Sequence, residues 1–224
     1  MTHADVVRTP EEIRVPVQDG DLAALYWAAD DPAAPLVVLV HGITGNAMAW
    51  APVAAALAGG CEVVAPDLRG RAHSAGLPGP YGLGTHAADV AALLRHFGAD
   101  GGAGAQATVL VGHSMGGFVV TLAVAGSARD LAHGLVLVDG GLPFAVPPAA
   151  DTDAMLAAFL GSSLDRLDHT FPDLPSVRSY WRGHGAVGPW VDRPEVAAFL
   201  TRDLTGSEPE LRSAVTSAAC ADRP

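Results

Sequence analysis

The sequence predicts an α/β fold in which a doubly wound, mostly parallel sheet of about six strands carries helices on both faces. Aliphatic runs suited to buried strands recur at 36–40, 61–65, 108–111 and 134–138. Segments with apolar residues at helical spacing lie between them, and this alternation is typical of parallel sheets covered on both faces. At 112–116 a glycine-bracketed turn joins a strand directly to a helix.

The chain opens with two strand-like runs that flank Gln-Asp-Gly-Asp at 18–21, a sequence typical of a β-hairpin turn. Pro16 lacks the N–H that a sheet ladder requires, so the first of these strands is predicted to lie at an edge. The run at 36–40 is aliphatic throughout, as in strands that are buried on both faces. A short helix is predicted at 50–57, with Pro52 tolerated in its first turn.

Two longer helices are predicted further along the chain. Thr85 suits the N-cap position of a helix over 86–97, because its hydroxyl can accept a hydrogen bond from a free N–H of the first turn. The strand at 108–111 leads into a second helix, which we expect to end near Arg129. The last clear strand, at 134–138, stops at an Asp-Gly-Gly turn.

The turn at 112–116, Gly-His-Ser-Met-Gly, carries the strongest functional signal. A strand becomes a helix within one residue only if the chain bends sharply, and Gly112 and Gly116 remove the Cβ atoms that would collide there. Ser114 lies at the apex, where its side chain projects clear of the sheet. Free N–H groups at the start of the following helix favour negative charge on a substrate oxygen. The pattern indicates a nucleophilic serine; the alternative is a glycine-rich turn with an incidental serine.

Four polar residues each follow a predicted strand, and they are His41, Asp67, Ser114 and Asp139. Sites in such sheets lie beyond the carboxyl ends of the strands, so we expect these residues at one edge of the sheet. Asp67 and Arg69 are interpreted as ion-pairing residues that lock their own loop. His113 is next to Ser114 in the chain, so its side chain should diverge from that of the serine.

Composition and charge narrow the classes of partner. The net charge is −11 and all 13 basic residues are arginine, which with abundant Ala, Gly and Pro suggests a GC-rich bacterial genome. An acidic chain without a basic stripe predicts no nucleic acid partner and no binding to anionic membranes. No apolar run approaches the roughly 20 residues that span a bilayer. The histidines lack metal-ligand spacing and no nucleotide-binding glycine loop is present, so we expect no metal and no cofactor.

The cysteines and the first residues of the chain predict a location. Only Cys61 and Cys220 are present, which favours a reducing compartment over a disulfide framework. The start of the chain is charged and interrupted by proline, without the apolar stretch of a signal peptide. We therefore expect a cytoplasmic protein that acts on a small molecule.

The pattern changes after Leu142, and we expect a core at 1–142 followed by a helical cap segment at 143–224. A helix capped by Asp151 is predicted over 151–160, and no strand is expected from there to Arg212. Aromatic residues among the short helical pieces would supply apolar walls above the strand ends. The alternative is that these helices pack on the flank of the sheet.

Four segments of the chain resemble the α/β-hydrolase fold superfamily, in its capped, esterase-like branch. They lie at 36–50, 63–74, 109–117 and 134–143, in the order that the family has, and the resemblance extends over about 12–142. It implies a serine hydrolase that acts on an ester-type bond of a small hydrophobic substrate. Because a serine stands at the apex, dehalogenase and epoxide hydrolase chemistry is disfavoured.

The resemblance also implies roles for individual residues. Ser114 would be the nucleophile, and the backbone N–H groups of Ile43 and Met115 would form an oxyanion hole. His41, Gly42, Gly112 and Gly116 would shape the two loops, with His41 as a structural residue rather than a proton carrier. Asp139 occupies the family's alternative position for the catalytic acid, although Asp-Gly-Gly is also an ordinary turn.

The family's catalytic histidine follows its last strand, and we find no equivalent here. The chain reads as C-terminally truncated, with the last strands of the core missing; His184 and His169 are weak substitutes. The strand at 134–138 would then be an exposed apolar edge, prone to self-association. Three functions stay open: a serine hydrolase, a truncated or pseudo-enzyme that retains fold and pocket, and a lyase or perhydrolase that uses the same serine.

Overall fold

The computed structural model describes residues 9–99, 106–142, 151, 154 and 162–221. Within them a six-stranded sheet has the order β1-β2-β4-β3-β5-β6. Its strands are β1 Glu11–Val17, β2 Gly20–Trp27, β3 Leu36–Val40, β4 Glu62–Pro66, β5 Thr108–His113 and β6 Gly134–Val138. The β3–β4, β3–β5 and β5–β6 pairs are parallel, whereas β1–β2 and β2–β4 are antiparallel. The predicted mostly parallel α/β sheet is confirmed.

The predicted hairpin is present at one edge of this sheet. Asp19 and Gly20 adopt φ values of 66° and 147°, which glycine accepts readily and Asp tolerates at turns. Pro16 lies opposite Asp21 in the outermost strand. Its missing N–H is tolerated there, because an edge strand has a pairing partner on one side only.

Helices cover both faces of the sheet. A 3-10 turn, Ala47–Trp50, and helix α1, Ala51–Leu57, lie on one face, and α2 Leu83–His96 and α3 Met115–Ala125 on the other. Alternate β3 residues divide between two apolar clusters: Val38 packs with residues of α2 and α3, and Val37 packs with Trp50 and Ala54. This division of one strand between two cores is what a doubly wound sheet requires.

Two helix boundaries differ from the sequence predictions. Helix α2 begins at Leu83 with Gly82 as its N-cap, so Thr85 lies inside the first turn and does not cap it. Leu83 packs against the core, and this tertiary contact extends the helix past the polar residue. Helix α3 ends at Ala125, not near Arg129, because the chain leaves helical geometry at Gly126.

Residues 162–221 form short elements around an apolar centre of their own. They comprise α4 Ser162–Asp165, β7 Thr170–Phe171, α5 Leu174–Arg182, α6 Pro194–Arg202, β8 Leu204–Thr205, β9 Leu211–Ser213 and α7 Ser217–Ala221. The strands pair in the order β7-β9-β8. The expectation of no strand before Arg212 was therefore wrong, since strands this short carry no readable alternation. The helix predicted at 151–160 lies almost wholly outside the described residues.

Polar contacts attach this segment to loops at the carboxyl ends of β3 and β4. Asn46 Nδ2 donates to the Phe199 carbonyl at 3.0 Å, and Arg166 Nη2 donates to the Thr44 carbonyl at 2.8 Å. Arg202 Nε lies 3.1 and 3.0 Å from the two Asp67 oxygens. The segment thus covers these strand ends. The division into a core at 1–142 and a cap at 143–224 stays a prediction, because the residues at 143–150 lie outside the description.

Strand β6 ends the sheet on the side opposite the hairpin. It pairs with β5 along one side only among the described strands. Leu135, Val136 and Val138 are 39%, 47% and 41% exposed, which is high for aliphatic residues of a strand. An open apolar edge is therefore a feature of the described structure.

Candidate active site

Ser114 lies in a strained turn between β5 and α3. Its φ and ψ are 52° and −120°, in a region that residues other than glycine rarely adopt. The Ser114 N–H donates to the Val138 carbonyl at 3.0 Å, and its carbonyl accepts from the Gly117 N–H at 2.9 Å. These two bonds hold the strained backbone against β6 and the first turn of α3, and such strain is typical of functional sites.

The flanking glycines allow the backbone to approach itself closely. A Cβ on Gly112 would overlap the Gly116 carbonyl group, and a Cβ on Gly116 would overlap the Val40 carbonyl oxygen. Both neighbours are main-chain atoms, so no side chain could move aside. A glycine is required at each position if the turn is to seat against β3.

The loop after β3 lies beside this turn. A Cβ on Gly42 would come within 3.3 Å of the Ser114 Cβ. Among the described residues, the N–H groups of Ile43 and Met115 donate to no protein acceptor. Met115 is the first residue of α3, where N–H groups lack intrahelical partners. Two free donors therefore flank the serine, one from each loop.

His41 is buried, and both of its ring nitrogens are engaged. Nε2 accepts from the Leu68 N–H at 3.0 Å, so in the neutral ring Nδ1 carries the proton and donates to the Gly42 carbonyl at 2.7 Å. Burial lowers the pKa of His41 to about 4, although the Gly42 carbonyl and Asp67 oppose the shift. A neutral ring with both nitrogens occupied has no capacity to take a serine proton. The geometry therefore supports the structural interpretation of His41.

Ser114 opens into a cavity of about 270 Å³. The sheet side contributes the loops at Gly42–Gly45 and His113, and the segment 162–221 contributes Trp181, His184, Val187 and Phe199. A second cavity of about 420 Å³ shares the walls Ala49, Val187 and Phe199 and is lined mainly by apolar side chains. The serine thus faces a chamber suited to a small apolar group.

The other residues that the sequence suggested for the site differ in whether they line the cavity of Ser114. Asp139 follows β6 with φ 49°, is exposed, and does not line the serine cavity. His184 does line it, with Nδ1 accepting from the Val187 N–H at 3.3 Å and the ring packed on Trp181. His113 is exposed, and its ring lies 3.3 Å from the position that a Cβ on Gly42 would take. Within the described part of the chain, Ser114 Oγ forms no hydrogen bond, so the structure brings no base into contact with it.

Asp67 and Arg69 form ion pairs as predicted, with charged partners outside their own loop, and Asp67 also accepts from the His73 N–H within that loop. Arg69 Nη2 lies 2.9 Å from Asp89 Oδ1 of α2, with both side chains buried. Asp67 accepts from Arg202 of α6 and from the Ala47 N–H. Sequence reasoning missed Arg202, because this partner lies 135 positions away. It also missed Arg71, which is fully buried beside the serine turn and which no local pattern marks.

The described residues include no helix that is long and apolar enough to cross a membrane. No group of three or more His, Cys, Asp or Glu side chains among them is arranged to bind a metal ion.

The sequence of this chain matches that of a known protein family. A model of the alpha/beta hydrolase family matches residues 37–222. A putative carbamate hydrolase, RutD, of Klebsiella pneumoniae is 34% identical over 112 residues, which are 50% of this chain and 40% of that protein. The bifunctional esterase/perhydrolase DCH of Acinetobacter calcoaceticus is 31% identical over 198 residues, 86% of this chain and 68% of that protein. The match to RutD thus spans less than half of that protein's length.

The fold is found in solved structures as well. The crystal structure of E-2-(acetamidomethylene)succinate hydrolase superposes with a TM-score of 0.71 at 24% identity, over 95% of this chain and 71% of that one. The relatives named above carry the names hydrolase or esterase/perhydrolase. Because the family model spans residues 37–222, which is most of the chain, the protein belongs to the alpha/beta hydrolase family.

Proposed function

We propose that the protein is a serine hydrolase that cleaves an ester-type bond in a small, largely apolar substrate. The observation that carries the proposal is Ser114 itself, held at positive φ between two backbone N–H groups that have no protein acceptor in the described part of the chain. A hydroxyl that faces a cavity from a strained turn, with unused N–H donors beside it, is typical of the serine and the oxyanion hole that acyl transfer uses. The names of the relatives support hydrolysis as the reaction, but they do not identify the bond that this protein cleaves.

The reaction would proceed in two steps. Ser114 Oγ bonds to the substrate carbonyl carbon while its proton passes to a base, and the Ile43 and Met115 N–H groups bind the resulting oxyanion. Collapse breaks the bond to the leaving alcohol, which takes up the proton. Water then attacks the acyl-enzyme and releases the acid and the free serine. Asp139 stays a candidate for the carboxylate that orients the base.

The chamber beside Ser114 supports an apolar acyl or alkyl group as the recognised part. The second cavity, which shares the walls Ala49, Val187 and Phe199 with the Ser114 cavity, is lined by Met48, Pro52, Trp190 and Val196, with Arg193 and Glu195 also among its walls. A volume of this order, roughly 300–1,000 Å³, accommodates small organic ligands.

A location in the reducing cytoplasm fits the two free cysteines, Cys61 and Cys220.

Labelling with a fluorophosphonate tests the proposal. We expect the probe to modify Ser114 in the wild type and not in Ser114→Ala, as read by peptide mass spectrometry. Ser127→Ala is the matched control, because Ser127 lies beyond the end of α3 and its hydroxyl bonds to the Ala87 carbonyl. The same three proteins are assayed with nitrophenyl esters of increasing acyl length, and hydrolysis is expected to follow the labelling.

A second candidate is a binding protein that retains the pocket without turnover. It is favoured by the absence of a hydrogen bond to Ser114 Oγ among the described residues. Binding of an apolar ester, seen as a thermal shift, without labelling or hydrolysis would support this candidate over the hydrolase.

Perhydrolysis is the third candidate, since a relative is named esterase/perhydrolase. Here hydrogen peroxide would replace water as the attacking group on the acyl-enzyme, giving a peracid and the free serine. Peracid formed in the presence of an ester and hydrogen peroxide, and absent with Ser114→Ala, would identify it.

A further inference from the structure

Arg71 lies in the loop after β4, and its guanidinium is fully buried. All five of its N–H donors are engaged. Nε donates to the Ile43 carbonyl at 3.1 Å, and Nη1 donates to the Arg69 carbonyl at 2.7 Å and to His86 Nε2 at 3.1 Å. Nη2 donates to the Ala219 carbonyl at 2.7 Å and contacts Met115 Sδ at 3.8 Å.

Two of these acceptors belong to the residues that flank the serine. Ile43 carries one of the candidate oxyanion donors and Met115 carries the other. One planar guanidinium therefore holds the loop after β3 through a carbonyl and the first residue of α3 through its sulfur. Because the donors of arginine form a rigid fork, this group fixes the two residues relative to each other.

The charge on Arg71 also distinguishes it from the other buried arginines. Arg69 pairs with Asp89, Arg166 with Asp203 and Arg202 with Asp67. Among the described residues no carboxylate lies within 4.0 Å of Arg71, whose acceptors are carbonyls, a thioether and an imidazole. That imidazole is neutral, because burial first and the Arg71 charge second lower the pKa of His86 to about 3. A buried cation that has no carboxylate partner in the described part of the chain is costly, which argues that its charge serves the site.

We propose that Arg71 is a positioning residue for the oxyanion site: it sets the spacing of the Ile43 and Met115 amides and places a positive charge behind them. The inference rests on the proposed function and extends it. Arg71 does not line the serine cavity and so does not touch substrate. Its effect is on the developing negative charge, which a fixed nearby cation stabilises most when water is excluded.

The test compares Arg71→Lys and Arg71→Met with Arg69→Lys. Lysine keeps the charge but loses the fork, whereas methionine loses both. Arg69→Lys is the matched control, because Arg69 is equally buried and bonds to Asp89, Pro78 and Gln18 rather than to Ile43 or Met115. Each protein is reacted with a fluorophosphonate, the inactivation rate constant and the binding constant of the probe are separated, and thermal unfolding reports folding.

For Arg71→Met we expect the inactivation rate constant to fall on the order of 100-fold with the binding constant unchanged, as for a misplaced catalytic geometry. Arg71→Lys should fall roughly 10-fold, between the wild type and Arg71→Met. Arg69→Lys should lower the melting temperature without changing the inactivation rate constant of the folded protein. If Arg71→Met fails to fold, Arg71→Lys decides.

Folded Arg71 variants that react at the wild-type rate would overturn the inference and leave the proposed function intact. An equal loss of reactivity in Arg69→Lys would overturn it too, since the effect would then follow stability. A wild type that is not labelled at Ser114 would overturn the proposed function first, and with it this inference.

Discussion

At the scale of single residues, burial determines the protonation of two histidines. His41 accepts from the Leu68 N–H and His86 accepts from Arg71, so each folded-state contact needs a neutral ring nitrogen. Burial lowers the pKa of His41 to about 4 and that of His86 to about 3. In the unfolded chain both return to the ordinary histidine value, about 6.5.

The stability of the protein should therefore depend on pH. Both folded-state pKa values lie below the unfolded value, so the unfolded chain binds more protons and stability is lost as the pH falls through 6.5 towards 4. Between about pH 7.5 and pH 5 we expect the free energy of unfolding to fall by about 2 kcal/mol for each histidine. Urea denaturation at the two pH values measures it.

Matched variants separate these rings from the rest of the titration. His86→Gln should reduce the number of protons that the chain takes up on unfolding by about one, and the slope of the unfolding free energy against pH should fall accordingly. His96→Gln, which alters an exposed ring on the same helix, is the matched control for the substitution itself. A free energy of unfolding that is flat across this range would contradict the assignment of both buried rings as neutral.

The residue scale also shows what local sequence can and cannot reveal about the site. Ser114, Gly112 and Gly116 could be predicted because a strand-to-helix turn has a steric requirement within five residues. Arg71 could not, because its partners Ile43, Met115 and Ala219 come together only through the fold. Nothing in the sequence around Arg71 distinguishes it from the ion-paired Arg69 two residues before it.

At the scale of elements, one ionic network attaches α6 to the sheet. Arg202 donates to both Asp67 oxygens from Nε and to Glu12 Oε2 at 2.9 Å from Nη1. Asp67 is fully buried and also accepts from the Ala47 and His73 N–H groups. The network joins β1, the loops after β3 and β4, and α6, so the walls of the serine cavity depend on it.

Removing the cation should be strongly destabilising. Arg202→Met leaves the Asp67 carboxylate buried without its counter-ion, and we expect a loss of about 3–5 kcal/mol in the free energy of unfolding. Arg182→Met is the control, because its pair with Asp192 is 57% and 70% exposed and solvent screens the attraction between the two charges. Equal losses in denaturant unfolding of the two variants would contradict the role of the buried network.

The elements that sequence could predict are those with a pattern of their own. The aliphatic runs of β3, β5 and β6 and the Asp-Gly hairpin are all confirmed. Strands β7, β8 and β9 were missed because they are two or three residues long and exist through pairing with one another. Helix α2 starts at Leu83 rather than at His86 for a related reason, since burial of Leu83 outweighs the local cap signal.

At the scale of the whole molecule, the described structure leaves one apolar sheet edge open. Strand β6 has a pairing partner on one side among the described strands, and three of its aliphatic side chains are partly exposed. Leu122 of α3, which packs on the same part of the sheet, is 44% exposed. Open edges of this kind promote association between chains.

We predict self-association through β6. The weight-average sedimentation coefficient should rise with protein concentration, and Val136→Glu should lower it towards the monomer value by placing a charge on the edge. Val53→Glu introduces the same charge at a comparably exposed valine of α1 and should have no effect. A monomer at every concentration, or an equal effect of the two variants, would contradict this prediction.

In the proposed reaction, Ser114 attacks a carbonyl carbon, and the Ile43 and Met115 amide N–H groups donate hydrogen bonds to the carbonyl oxygen. The most direct measurement is a crystal structure of the protein after reaction with a fluorophosphonate. We predict that phosphorus is bonded to Ser114 Oγ and that a phosphoryl oxygen lies about 2.7–3.1 Å from both backbone nitrogens. A phosphoryl oxygen directed away from these two amides, or an adduct on any other residue, would contradict it.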